Sequence, residues 1–154
     1  MNFYGHKGSI TSLSISYDST YFISGSVDAN MMLWNLKIGH CLAIFKGHLK
    51  TVWTVKMSPR GHYFASGGAD SMVFLWSTNQ GAPLMSFTEH TDDVVQVDFC
   101  DNLSYVVTAS NDKTLRIWNI ENNQQVRVLF FPDAITRFKF NRNADFLIAG
   151  TRSG

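Results

Sequence analysis

The chain has little with which to crosslink, bind metal or span a membrane. It contains two cysteines, Cys41 and Cys100, in neither a CxxC pair nor a second ligand pair. A disulfide framework and a cysteine-based zinc site are thereby excluded, and free thiols in a reducing compartment are expected. Charged residues make up only 16% of the 154, with a net charge of +1, which gives no whole-chain electrostatic pull towards nucleic acid or an anionic membrane. No apolar run approaches the ~20 residues of a bilayer-spanning helix. Met1-Asn2-Phe3-Tyr4 leads straight into patterned sequence, so no secretory leader is expected and the sequon Asn102-Leu103-Ser104 carries no weight. No window sustains an i, i+3, i+4, i+7 pattern. Neither a Gly-x-Gly-x-x-Gly nor a phosphate-cradling Gly-x-x-x-x-Gly-Lys-Ser/Thr stretch occurs. The carboxylate pair Asp92-Asp93 and the soft pair His40-Cys41 stand without further ligands at metal spacing. Hence no cofactor and no metal is expected.

What is present is aromatic and periodic. Twelve Phe, five Tyr and four Trp, with many Val, Ile and Thr, favour strands. Leu33-Trp34, Leu75-Trp76 and Ile117-Trp118 recur at a spacing of 42 residues. Histidines 6, 48 and 90 and aspartates 28, 70 and 112 precede them at the same spacing. Three residue types in three columns at one period mark a tandem array, the first thing to look for at this length.

Within each unit the pattern has the two-residue period of strands. Strands are expected at Ile10–Ile15, Tyr21–Ser26, Met31–Trp34 and Cys41–Phe45 in the first unit, and at Val52–Met57, Tyr63–Gly68, Ser71–Trp76 and Leu84–Phe87 in the second. The third should run Val94–Phe99, Tyr105–Ser110, Thr114–Trp118 and Val126–Phe130, and a fourth begins with Ile135–Phe140 and Phe146–Thr151. Turn chemistry separates them, as at Tyr17-Asp18-Ser19-Thr20 and Ser58-Pro59-Arg60-Gly61. Both strand faces carry apolar residues, so a unit must be sandwiched between neighbours to bury them. Charge is uneven: residues 89–101 hold five acids and no Lys or Arg, whereas residues 1–60 hold six Lys/Arg against two acids.

Gly-His at the start of a unit, a Ser-Gly-Ser-x-Asp stretch in its middle and an aliphatic-Trp pair near its end resemble WD40 repeats, whose four-stranded blades form β-propellers. The resemblance covers the whole chain, with blades at about 5–46, 47–88 and 89–130 and a partial blade at 131–154. It departs from the family in the residue after each Trp, which is Asn35, Ser77 or Asn119, and in Glu89, which replaces a Gly. The expected fold is all-β, a partial, open propeller of about three and a half four-stranded antiparallel blades. The resemblance implies one hydrogen-bonded chain per blade, made from His6, Ser24, Asp28 and Trp34, from His48, Ser66, Asp70 and Trp76, and from His90, Thr108, Asp112 and Trp118. The hydroxyl column is chosen because positions 24, 66 and 108 are all hydroxyl-bearing, whereas Gly68 interrupts the column of Ser26 and Ser110. His6-Ser24-Asp28 could also be read as a hydrolase triad. Threefold occurrence and the missing Gly-x-Ser-x-Gly elbow argue for structure instead, so no enzyme is expected. In the fourth unit Phe131-Pro132-Asp133 stands where Gly-His belongs and Ser153 fills the Asp column, so no such tie is expected there.

Propellers usually have 4–8 blades. The sequence therefore predicts an arc with a bare sheet face at each end, a fragment or half-assembly completed by remaining blades or another chain, and a polypeptide that associates when isolated. Gly47-His48, Val52-Trp53, Ser58-Pro59, Tyr63 through Asp70 and Leu75-Trp76 are similar to early blades of the WD-repeat TBP-associated factors of transcription factor TFIID. That resemblance implies a nuclear, non-enzymatic scaffold contacting histone-fold TBP-associated factors, without direct contact to nucleic acid or membrane. A WD40 adaptor of another kind, such as a ubiquitin-ligase substrate receptor or an RNA-processing scaffold, in the nucleus or cytoplasm, is the alternative. Loops entering the first strand of each unit should share a rim and vary where binding varies. They nominate Lys7, Leu49, Lys50, Asp92 and Asp93 for partner contact. Trp53, the one bulky aromatic in a column of Thr11, Val95 and Thr136, is either the rim's hot spot or an interblade packing residue.

Overall fold

The computed structural model describes residues 2–100, 104–140 and 147–153. Four strands form each of three antiparallel meanders: β1 (Ile10–Ile15), β2 (Tyr21–Ser26), β3 (Asn30–Asn35) and β4 (Cys41–Lys46); β5 (Val52–Met57), β6 (Tyr63–Gly68), β7 (Val73–Ser77) and β8 (Pro83–Phe87); and β9 (Val94–Phe99), β10 (Tyr105–Ser110), β11 (Thr114–Asn119) and β12 (Gln124–Phe130). A two-stranded sheet, β13 (Ile135–Phe140) with β14 (Leu147–Thr151), follows. The molecule is an open all-β propeller arc of three full blades and half of a fourth. Four expected strand starts move. Asn30, Pro83 and Gln124 rather than Met31, Leu84 and Val126 open β3, β8 and β12. Val73 rather than Ser71 opens β7, because Ser71 sits at φ 64° in the turn after Asp70; Ala29 and Lys113 take the same left-handed conformation at φ 64° and 69°. The start of the last strand expected at Phe146 lies outside the described residues.

Cores form between blades. Ile23, Met31, Leu33 and Phe45 of the first blade meet Val52, Val55 and Met57 of the second. Ala65, Val73, Leu75 and Phe87 meet Val94, Val97 and Phe99 of the third, and Val107, Ala109 and Leu115 meet Ile135 and Phe138. Glycine permits the close approach: a Cβ on Gly25 would lie 2.9 Å from Val52, and one on Gly67 2.5 Å from Val94. Phe3 packs edge-on against Phe22 and Trp34. Phe45 packs against Phe64 and Trp76 in the same way.

Each inner strand carries a bulge. Thr11, Trp53, Val95 and Thr136 are skipped in the pairing of β1, β5, β9 and β13 with their neighbours. A second bulge, in the outer strands, skips Leu42, Leu84 and Val126 and leaves all three exposed. A bulged residue leaves the strict alternation of faces and is re-aimed.

Candidate functional site

The expected polar chains form in all three full blades. In the first, Trp34 Nε1 donates to Ser24 Oγ at 2.8 Å, Ser24 Oγ lies 2.7 Å from His6 Nε2, and His6 Nδ1 lies 3.0 Å from Asp28 Oδ2. The second repeats this through Trp76, Ser66, His48 and Asp70 at 2.9, 2.8 and 3.0 Å. The third uses Trp118, Thr108, His90 and Asp112 at 2.9, 2.7 and 2.7 Å. An indole can only donate and a carboxylate can only accept. Each imidazole therefore donates from Nδ1 to its Asp, and on a singly protonated ring the hydroxyl donates to Nε2. Each Asp also accepts the backbone N–H that follows its His, from Lys7, Leu49 or Thr91. This pins the entry loop to the β2–β3 type of turn.

Burial alone would raise the Asp28 carboxyl, but the N–H groups of Lys7 and Asn30 and the His6 ring together hold it at about 2. Asp70 is lowered against the same burial by the hydrogen bond and charge of His48 and by the Leu49 and Met72 N–H groups. Asp112 is lowered, again against burial, by the Thr114 hydroxyl and His90. Burial pushes the His90 imidazole below its ordinary value, and the adjacent Asp112 only partly offsets it. These are fasteners, not reactive groups. Ser24, Ser66 and Thr108 have no exposed surface, and each already holds an indole proton, so none can reach a substrate.

On the rim carrying these loops, Lys7, Leu49, Lys50 and Asp92 are exposed, Leu49 at 87%. Trp53 is 40% exposed, and its Nε1 donates to Asp93 Oδ2 of the next blade at 2.8 Å. Trp53 thus stands at the boundary between two blades, partly exposed and tied to the next blade through its indole N–H. Lys50, Leu49, Trp53 and Asp93 lie on adjoining loops and strand ends, whereas Lys7 belongs to the first blade's loop.

Reading by residue type missed a second set of interactions, which joins blades along their inner strands. Val55 N–H donates to Ser12 Oγ, Val97 N–H to Thr54 Oγ1 and Phe138 N–H to Gln96 Oε1, at 3.1, 3.2 and 2.9 Å. Gln96 Nε2 returns a bond to Phe138 O at 2.9 Å. Met57 N–H donates to Ser14 Oγ, and Lys56 pairs with Asp98 at 3.0 Å. Thr11 Oγ1 donates to the carbonyls of Gly25 and Val52. Serine, threonine and glutamine share one column here, so the repeat gives position but residue type gives no signal. In the fourth blade Asp133 accepts from the N–H of its neighbour Ala134 at 2.8 Å, a local bond, and that N–H, aided by the Ser153 hydroxyl, holds its carboxyl below the usual value.

On the opposite rim a groove of about 760 Å³ between the first two blades is lined by Tyr17, Asp18, Leu42, Arg60 and His62 among others. Its one hydroxyl–carboxylate contact among the described residues is Ser16 Oγ donating to Asp18 Oδ1 at 2.6 Å, a bond within the β1–β2 turn, with Ser16 buried. Among the described residues no three His, Cys, Asp or Glu side chains are grouped to hold a metal ion.

A family model described as "WD domain, G-beta repeat" matches residues 1–35, 39–77 and 81–119. POC1 centriolar protein homolog A of Danio rerio is 53% identical over 36 residues, which is 23% of this chain and 9% of that protein. Among solved structures, the crystal structure of RRP9 WD40 repeats superposes with a TM-score of 0.84 at 27% identity, covering 88% of this chain and 43% of that one. The structure of U3-55K gives a TM-score of 0.84 and 27% identity, covering 88% and 44%. The chain therefore spans less than half the length of these solved relatives and under a tenth of the curated one.

Proposed function

The chain belongs to the WD40 repeat family, and on that premise we propose that it is a non-enzymatic scaffold that holds another protein on the rim formed by Leu49, Lys50, Trp53, Asp92 and Asp93. Trp53 carries the reading. A large aromatic is held half in solvent, its indole N–H already satisfied by Asp93, so its ring can be buried by a partner without stranding a donor. Exposed, pre-oriented tryptophans are the residues on which interface energy concentrates, and Leu49 extends the apolar patch. Lys50 on one side and Asp92 on the other give the patch a charged border of both signs.

The finer assignment, to a TFIID-type transcription initiation complex in the nucleus with histone-fold TBP-associated factors as partners, rests on the stretch from Gly47 to Trp76. Proteins similar to the chain include a centriolar protein, RRP9 and U3-55K. They favour the broader reading, a WD40 adaptor whose assembly is set by its rim. Affinity purification from nuclear and cytoplasmic extracts distinguishes the two. Recovery of histone-fold subunits from the nuclear fraction supports the finer reading, and their absence removes it. Trp53→Ala should reduce recovery of any rim partner by about tenfold or more. Unchanged recovery with Trp53→Ala and with charge reversal at Lys50 and Asp93 would remove the rim itself.

A further inference from the structure

The groove on the rim opposite Trp53 lies between two complete blades, and hydrogen-bonded turns build its walls. In the first blade Ser16 N–H donates to Tyr21 O and Tyr21 N–H to Ser16 Oγ, at 2.9 and 3.0 Å, which fixes the turn carrying Tyr17. In the second, Gly61 N–H donates to Ser58 O and Tyr63 N–H to Ser58 Oγ, at 2.9 and 3.2 Å. Gly61 takes φ 75° there, and the turn it closes carries Arg60. Thr78 donates from both N–H and Oγ1 to His62 O, at 3.0 and 3.2 Å, and so holds the β7–β8 loop to the same turn. The turns of the two blades abut: a Cβ on Gly61 would lie 3.8 Å from Ser16.

The lining divides into apolar surface and unmatched donors. Leu42, the bulged residue of β4, is 48% exposed, and Leu33 and Ala43 line the groove beside it. Tyr17, at 91%, is the most exposed of the large hydrophobic side chains described. The Tyr17 and Tyr21 hydroxyls, the His62 ring and the Arg60 guanidinium make no hydrogen bond or ion pair among the described residues. The one carboxylate in the groove, Asp18, is committed to its own turn, where Oδ1 accepts from Ser16 Oγ at 2.6 Å and from Thr20 N–H at 3.1 Å. Donors are therefore in excess, and the strongest of them, a guanidinium, can only donate. Its complement is a carboxylate, which it grips through two parallel N–H···O bonds. An exposed tyrosine covers apolar chain with its ring while its hydroxyl stays wet. A volume of about 760 Å³ takes a few residues of extended chain.

We propose that this groove docks an extended acidic segment of a partner protein, with one apolar side chain against Leu42 and Tyr17 and one carboxylate on Arg60. The site uses neither the Trp53 rim nor the ends of the arc, so it stands or falls separately from the scaffold surface.

The test is a cellulose-bound array of short Gly-Ser peptides, each with one Leu or Phe set one to four positions from one Glu, beside a matched array with Gln in place of Glu. Both are probed with the 154-residue chain. At the favoured spacing the Glu peptide should capture at least about fivefold more chain than its Gln twin, the span of a partly exposed charge-assisted pair. Arg60→Glu, at an exposed position, should reverse that preference. Leu42→Ser should lower capture of both twins by about threefold or more. Arg127→Glu makes the same charge change at an exposed position of β12 in the third blade and should leave the preference as it is. Capture by neither array, equal capture of Glu and Gln twins at every spacing, a preference unmoved by Arg60→Glu, or capture unmoved by Leu42→Ser overturns the proposal. So does loss of the preference with Arg127→Glu, because net charge rather than the groove would then be selecting the peptide.

Discussion

Each fastener depends on one hydroxyl that serves two partners. Ser66→Ala strands the Trp76 indole N–H and the His48 Nε2, both buried, and a buried polar group left unpaired costs about 1–3 kcal/mol. Urea unfolding should show a loss of about 3 kcal/mol, and Ser66→Thr, which keeps the hydroxyl as Thr108 does, should recover most of it. The same chains give stability a two-step dependence on acid. His90 is depressed in the folded state, so the native protein binds fewer protons than the unfolded chain below the ordinary imidazole value of about 6.5. Stability from this group is complete above that pH and is lost as pH falls through the folded value. The Asp28, Asp70 and Asp112 carboxyls are depressed likewise. Their contribution is complete above about 4 and fades below it, reaching Asp28 last, near pH 2. Urea midpoints followed from pH 8 to 2 should therefore begin to fall near 6.5 and fall again below 4; a curve flat between 7 and 5 would contradict the His90 part. His, Asp and Trp were legible because they are rare types in strict columns. Ser12, Thr54 and Gln96 were not, since three different side chains do one job and only geometry reveals it.

At the level of the strand, most of the β-structure could be read from alternation and turn residues, and the edges moved where a backbone conformation outranked side-chain type. Ser71 looks like the first residue of β7 but sits at φ 64°, a conformation that costs a non-glycine residue about 1–2 kcal/mol. Ser71→Gly should therefore raise thermal stability modestly, by about 0.5–1 kcal/mol after the added freedom of the unfolded chain is subtracted. A lowered melting temperature would show that the Ser71 side chain contributes more than its strain. The inner-strand bulges were not legible at all. Alternation assigns Trp53 to a face, and the skipped pairing between Val52 and Thr54 withdraws it from both. Gly67 gives the converse test: a methyl group there would press on Val94, and overpacking of this kind costs about 1–3 kcal/mol, so Gly67→Ala should destabilise the chain where most surface Gly→Ala changes would not.

Across the whole arc, the blades' order and their partial number followed from the period, while the ends showed what the period leaves undecided. Leu13 is 59% exposed on the first blade, whereas Val55 and Val97, its counterparts, are buried in interblade cores. Unmasked apolar faces of this kind drive association. Sedimentation of the isolated chain should show mass rising with concentration, and Leu13→Asp should lower that mass at every concentration; a chain that stays monomeric throughout would mean these faces are not adhesive. The inner-strand bulge has a different consequence at this scale. Its residue stands outside the three polar chains yet still reaches the next blade: Thr11 donates to the Val52 carbonyl, Trp53 donates to Asp93, and Val95 packs against the third interblade core. The same backbone position thus closes each junction by a different kind of contact, so neighbouring blades are matched to one another in order, and exchanging two of them would break contacts that the repeat columns alone do not show.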